Sequence, residues 1–161
     1  MSESYGLLAE QEAFTAVARA LSAMLEDGDE HVEFRASMTI PVSALKVRVF
    51  NPSGRREMPE GRYNTPTTPD EVGDALEVLR AASYRPGAGT WFSIFVVVQA
   101  SGGATAEYNY DQEADWDDAP IDPICYLQDQ EIFPTDEDKQ PEWLNVRLAE
   151  GRARLAARDK S

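Results

Sequence analysis

Four acidic residues alternate along one segment of the chain, and their spacing partly matches that of a calcium-binding loop. The pattern D-x-E-x-D-x-D is formed by Asp111, Glu113, Asp115 and Asp117. An EF-hand loop has Gly at its sixth position and a bidentate Glu at its twelfth, where this chain has Trp116 and Asp122. Zinc would need Cys or His clusters, which are missing from the sequence. The spacing therefore leaves weak calcium binding open, and we expect no specific metal site and no cofactor.

Side chains suited to acid–base or nucleophilic catalysis are scarce. The single histidine, His31, lies on the polar side of a predicted strand beside Glu33 and Arg35, which is typical of a surface histidine. Cys125 is flanked by apolar residues and surrounded by acid, a setting that disfavours the reactive thiolate. The chain has neither a glycine-rich dinucleotide motif nor a P-loop. Glycoside hydrolases use a pair of carboxylates, but acidic residues are so abundant in this chain that such a pair does not indicate this activity. These observations predict a protein that is not an enzyme.

The density of negative charge is the strongest signal in the sequence. Between Glu107 and Glu142 there are thirteen Asp or Glu residues and one basic residue, Lys139, and this stretch supplies most of the net charge of -14. Such a charge repels nucleic acid and anionic membranes and favours a basic protein partner. The alternative is that the acid serves only solubility.

Each of the three tryptophans has its own interpretation. Trp91 opens a very apolar strand and is expected in the core. Trp116 lies within the acidic segment, where it is either an interface anchor or a staple that folds back onto the domain. Trp143 is expected to pack at the first turn of the last helix.

Length and composition favour one cytoplasmic domain spanning residues 1–161. The chain is 42% hydrophobic, which is enough for a core. Its longest apolar run, Ile94 to Val98, is far shorter than the roughly 18 residues of a membrane span. The N-terminal residues lack the basic and apolar regions of a signal peptide. A single Cys fits a reducing compartment.

Hydrophobic periodicity predicts the order of the elements. Helical spacing over residues 7–25 places Leu7, Val17 and Leu21 on one apolar face, and two alternating runs over residues 32–40 and 45–49 predict paired antiparallel strands. Residues 51–68 form a long polar loop rich in Gly, Pro and Arg.

The second half of the chain is also predicted to contain a helix followed by two strands. Thr68 is the predicted N-cap of a helix, and residues 90–99 form a central strand covered on both faces. A glycine turn leads to a partner strand over 105–110, an acidic loop over 111–123, a short helix or turn over 127–133 and a last helix from Pro141. This order predicts an α+β fold, with an antiparallel sheet of four or more strands and helices packed on its faces.

The layout of the second half resembles the YezG-type immunity proteins of bacterial polymorphic toxin systems. In that family an aromatic and acidic Y-x-Y-D element follows a tryptophan-led strand and a glycine turn. The matching residues here are Trp91, Gly102 or Gly103, Tyr108, Tyr110, Asp111 and, upstream, Asn51, Pro52, Pro59 and Tyr63. The similarity covers about Val32 to Leu144. The arginine-bearing loop over 53–62 and the basic last helix depart from the pattern.

The resemblance implies binding to a cognate toxin domain, a nuclease or an NAD-degrading enzyme, whose active site the acidic surface occludes. We predict contact residues in the acidic loop and in the arginine-bearing loop, namely Asp111, Glu113, Asp115, Trp116, Asp117, Asp118, Arg55, Arg56, Glu60 and Arg62. The alternatives are an acidic chaperone or adaptor for a basic secreted cargo, and a small hydrolase or calcium-dependent protein.

Overall fold

The described part of the chain forms an antiparallel five-stranded sheet with four α-helices, which confirms the predicted α+β class. The computed structural model describes residues 2–55, 68–116 and 119–159. The helices are α1 (Ser2–Ser22), α2 (Asp70–Ala82), α3 (Ile124–Ile132) and α4 (Glu142–Asp159), and a 3-10 turn spans Glu137–Lys139. The strands are β1 (His31–Met38), β2 (Ser43–Asn51), β3 (Gly54–Arg55), β4 (Ser93–Gln99) and β5 (Ala104–Asn109).

The sheet has the order β3-β2-β1-β4-β5, so β1 is the middle strand. The predicted pairing of the first two strands is confirmed, as is the glycine turn between β4 and β5. In that turn Gly102 has a φ of 111°, a conformation that glycine adopts without a Cβ clash. Its N–H donates to the carbonyl of Gln99, and the Gln99 N–H donates to the carbonyl of Gly103. This pattern belongs to a three-residue hairpin loop.

Contacts along the chain group into two compact units, each assembled from three segments. The first unit comprises Met1–Ala36, Leu45–Ser83 and Ile94–Glu107, and the second comprises Ser37–Ala44, Tyr84–Ser93 and Tyr108–Ser161. The single domain over residues 1–161 stays a prediction.

The first unit buries one face of its strands and one stripe of each helix. In this unit α1 packs against α2. The completely buried side chains include Val17, Leu21, Val32, Phe34, Val47, Val49, Val72, Leu76, Leu79 and Val96. Each such side chain stabilises the fold by about 1.5–3 kcal/mol relative to an exposed one.

The second unit has a core rich in aromatic residues. Its buried cluster consists of Phe92, Ala114, Trp116, Tyr126, Leu144 and Leu148. In this unit α3 packs against α4, and Gly151 permits the close approach. A Cβ on Gly151 would lie 2.8 Å from the carbonyl oxygen of Pro123 and 3.0 Å from Cδ1 of Leu127.

Three details of the sequence prediction are corrected. Leu7 is 56% exposed instead of buried, since it lies on the first turns of α1 before the buried stripe begins. The helix α2 begins at Asp70, with the extended Pro69 at its N-cap, so the Thr68 side chain does not cap it. The strand β4 is buried on only one face, because Phe95 and Val97 are half-buried.

Within the described residues, no helix is both long enough and apolar enough to cross a bilayer.

Candidate functional site

The candidate site is the segment that follows β5, residues 110–116, together with the parts of the second unit that hold it. It contains the first part of the acidic loop predicted over 111–123, and from here on the name acidic loop refers to residues 110–116. Asn109 starts the loop with an Asx-type turn. Its side-chain oxygen accepts hydrogen bonds from the backbone N–H of Gln112 at 2.9 Å and of Asp111 at 3.3 Å. Its side-chain nitrogen donates to Oγ of Ser93 and to the carbonyl of Gln112, both at 2.9 Å. The turn therefore fixes the direction in which the backbone leaves the sheet.

The middle of the loop is tied to α4 by an ion pair. Arg147 donates from Nε and Nη2 to the two carboxylate oxygens of Glu113, at 2.6 and 3.0 Å. This two-bond geometry is the strongest form of a charge-assisted hydrogen bond. The hydrogen bonds to Glu113 raise the pKa of Arg147 above its already high usual value. Trp143, also on α4, donates from Nε1 to the carbonyl of Asp111 at 2.8 Å.

The far end of the loop is fixed by buried groups. Trp116 is only 8% exposed, and its Nε1 donates to the hydroxyl of Tyr126 at 3.0 Å. Burial raises the pKa of Tyr126 to about 12, and its hydroxyl is 3.4 Å from a carboxylate oxygen of Glu113. Ser37 donates from Oγ to the carbonyl of Asp115 at 2.7 Å. In this structure Trp116 therefore folds back and staples the loop, which is the second of the two interpretations given above.

Aromatic rings connect the loop to its supporting elements. The Trp143 ring makes edge-to-face contacts with Phe92 and Tyr126, with centroids 5.0 and 5.6 Å apart. Tyr108 lies 6.3 Å from Trp91 and 6.4 Å from Tyr110, ring centroid to ring centroid. Trp91 is completely buried, which confirms its predicted place in the core.

The described carboxylates of the second unit divide into two groups. Glu113, Asp122, Asp129 and Glu150 are half-buried or buried, and each accepts hydrogen bonds within the unit. The other eight are exposed to solvent, namely Asp111, Asp115, Glu131, Asp136, Glu137, Asp138, Glu142 and Asp159. We call these eight residues the acidic surface. Four carboxylates therefore make contacts that hold the unit together, and the acidic surface supplies the negative charge that a partner would meet.

The predicted site residues fall into three groups. Asp111 and Asp115 are exposed, whereas Glu113 and Trp116 hold the loop in place. Arg55 belongs to the first unit, where β3 pairs it with Phe50. Asp117, Asp118, Arg56, Glu60 and Arg62 lie outside the described residues.

Sequence reasoning did not find the residues that position the loop. Asn109 carried a local signal, since Asn at the end of a strand is typical of an Asx turn. Arg147 and Tyr126 carried none, because they meet Glu113 across 34 and 13 residues of chain.

His31 and Cys125, the two side chains considered for catalysis, are both half-buried. His31 stacks on Phe50, with ring centroids 4.6 Å apart and an interplanar angle of 6°. Partial burial, followed by the charge of Asp122, raises the pKa of the Cys125 thiol and so disfavours the thiolate. Across residues 2–55, 68–116 and 119–159, no group of three or more His, Cys, Asp or Glu is arranged to hold a metal ion.

Comparison of the chain with protein-family models and with the sequences of characterised proteins yields no significant match.

Proposed function

We propose that this protein is an immunity protein that binds a cognate bacterial toxin domain in the cytoplasm and occludes the toxin's active site. The observation that carries the proposal is the acidic loop itself. Its backbone is held at both ends and in the middle by Asn109, Trp116 and the Glu113–Arg147 ion pair, while Asp111 and Asp115 remain exposed. The residues that resemble the immunity family, from Trp91 to Asp111, support and begin this same loop.

A pre-positioned acidic loop suits fast and tight inhibition of a basic enzyme. Exposed carboxylates steer a cationic partner into contact and raise the association rate. A loop that is already ordered loses little conformational entropy on binding, so more of the contact energy appears as affinity. In a nuclease cleft, carboxylates spaced along a firm backbone would take the places of substrate phosphates. A nuclease is therefore the favoured toxin class, and an NAD-degrading toxin is the second.

The proposal assigns different roles to the residues of the loop. Asp111 and Asp115 contact the toxin, whereas Glu113 and Trp116 hold the loop in its binding shape. No residue is assigned a catalytic role, and no cofactor, nucleic acid or membrane takes part.

The test begins with a search of the neighbouring genes for a toxin domain, followed by its co-expression with this protein, purification of the complex and an assay of toxin activity. An Asp111→Asn/Asp115→Asn variant should associate roughly threefold more slowly at low salt and show a flatter salt dependence, because two steering charges are gone. A matched control is Asp74→Asn/Glu77→Gln, which removes two exposed acids from α2 in the first unit. The control should associate at the wild-type rate.

The alternative function has its own outcome in the same assay. A chaperone or adaptor would bind the basic domain and leave its activity intact in the complex. The immunity proposal fails if the purified toxin domain forms no complex with the wild-type protein, or if the complex is fully active.

A further inference from the structure

The first unit has a second charged surface, on the sheet face opposite its buried side chains. Alternate residues of a strand point to the same face, and Val32, Phe34, Val47 and Val49 are buried on the other one. A shallow depression on the open face is lined by Glu33, Arg35, Lys46, Arg48 and Phe95. Arg55 is added by the β2–β3 register, which pairs it with Phe50, two residues after Arg48. We call Arg35, Lys46, Arg48 and Arg55 the basic sheet face.

The basic sheet face is a concentration of positive charge in a chain whose net charge is -14. Among the described residues that line the depression, the three cations Arg35, Lys46 and Arg48 accompany one carboxylate, Glu33. A ligand in this depression would lie next to all three cations. Charges closer than about 8 Å are only partly screened at physiological salt, so the three would act on the ligand together.

Two of the cations are available to a ligand. Arg35 and Arg48 are exposed, and no carboxylate of the described residues forms an ion pair with either one. The guanidinium carbon of Arg35 lies 4.3 Å from the centroid of the Phe95 ring. The ring holds the guanidinium through a cation–π contact and leaves its charge unneutralised. Arg35 is thus positioned for an anion before one arrives.

We propose that the basic sheet face binds a short carboxylate-rich segment of another protein. Planar guanidinium groups match the two oxygens of a carboxylate, so exposed Arg residues favour such a ligand. A long phosphate polymer or an anionic membrane would meet the repulsion of the whole chain, whereas a short acidic segment is engaged locally. This binding activity goes beyond toxin inhibition and stands if the toxin proposal fails.

The probe is a fluorescein-labelled peptide of about ten residues that alternates Glu and Ser, titrated with the protein while fluorescence anisotropy is recorded. An Arg35→Gln/Arg48→Gln variant removes two cations from the basic sheet face. Each exposed ion pair contributes up to about fivefold in affinity, so the variant should bind the peptide roughly tenfold more weakly. The matched control, Arg19→Gln/Arg152→Gln, removes two exposed arginines from α1 and α4. Its affinity should stay within about twofold of wild type.

Amide chemical shifts of the wild-type protein, recorded with and without the peptide, provide a test that does not depend on any variant. The expected shifts cluster in β1, β2 and β4. The proposal is overturned if the peptide does not bind, if both double variants lose affinity equally, or if the shifts lie elsewhere. It is also overturned if labelled oligothymidylate binds this face more tightly than the peptide, or if sedimentation shows that a second copy of the chain covers it.

Discussion

Breaking the ion pair between Glu113 and Arg147 should loosen the acidic loop at a measurable cost in stability. We consider Arg147→Met and Glu113→Met, which keep an unbranched side chain and remove the charge. The two side chains are 38% and 30% exposed. Removing one partner of a fully buried pair costs about 3–5 kcal/mol, and an exposed pair is worth about 0.2–1 kcal/mol. The two hydrogen bonds of 2.6 and 3.0 Å place this pair near the upper end of the exposed range, at about 1 kcal/mol.

A double-mutant cycle measures this coupling directly. For a chain of 161 residues, 1 kcal/mol corresponds to a shift in Tm of roughly 2–4 °C. The Arg147→Met variant should melt lower by about that amount, and hydrogen exchange should accelerate at the amides of residues 111–116. Adding Glu113→Met should cost little more, because its partner is already gone. A coupling energy under about 0.3 kcal/mol, which is within ordinary additivity, would show that the ion pair does not hold the loop.

Three further predictions follow from the packing and the titrating groups. Gly151→Ala should destabilise the fold by about 1–3 kcal/mol in urea melts, because the new Cβ would lie 2.8 Å from a backbone oxygen. Gly73→Ala is the control: a Cβ there would have no neighbouring atom within 4 Å, so the variant should stabilise α2 by up to about 1 kcal/mol. Tyr126 has its pKa raised from 10.0 to about 12, so the stability it contributes is complete below pH 10 and is lost as the pH rises to 12. Ultraviolet titration curves of the wild type and of Tyr126→Phe should therefore differ by one phenol that ionises late, and the lack of this difference would contradict the burial argument. A folded His31→Gln/Cys125→Ala variant should still protect cells from the toxin, and failure to protect would point to a thiol or acid–base mechanism.

The fold was largely predictable because its signals are local. Alternation in residues 32–40 and 45–49 reflects the burial of every second side chain, and this became β1 and β2. The prediction was less accurate at the end of the first strand, where side chains that were expected to be exposed are buried. Ser37 and Thr39 lie on the predicted polar side of the first strand, yet they are 7% and 3% exposed. Their burial is compatible with polar side chains because both hydroxyls donate hydrogen bonds, Ser37 to the carbonyl of Asp115, 78 residues away, and Thr39 to the carbonyl of Val42.

The candidate site was predictable in its location and not in its internal roles. The composition of the sequence is enough to locate the acidic segment, because the net charge of a segment does not depend on how the chain folds. Which carboxylates are exposed depends on distant partners, such as Arg147 for Glu113 and the backbone N–H of Ile40 for Asp129. No pattern within one window of sequence contains both members of these pairs. The hydrogen bond from Trp116 to Tyr126 was missed for a different reason, because the ten positions that separate the two residues connect a loop to a helix and follow no helical or strand repeat.

The interleaving of the two units has a consequence for synthesis of the chain on the ribosome. Every segment of the first unit precedes residue 108, whereas the longest segment of the second unit, Tyr108–Ser161, is made last. At roughly 5–20 residues per second, that segment takes on the order of seconds to translate. During this interval the acidic loop lacks α4, and therefore lacks Arg147 and Trp143. Under the proposed function, a nascent chain would give no protection until α4 has been synthesised, so a cell would need copies that already contain α4 before toxin synthesis begins.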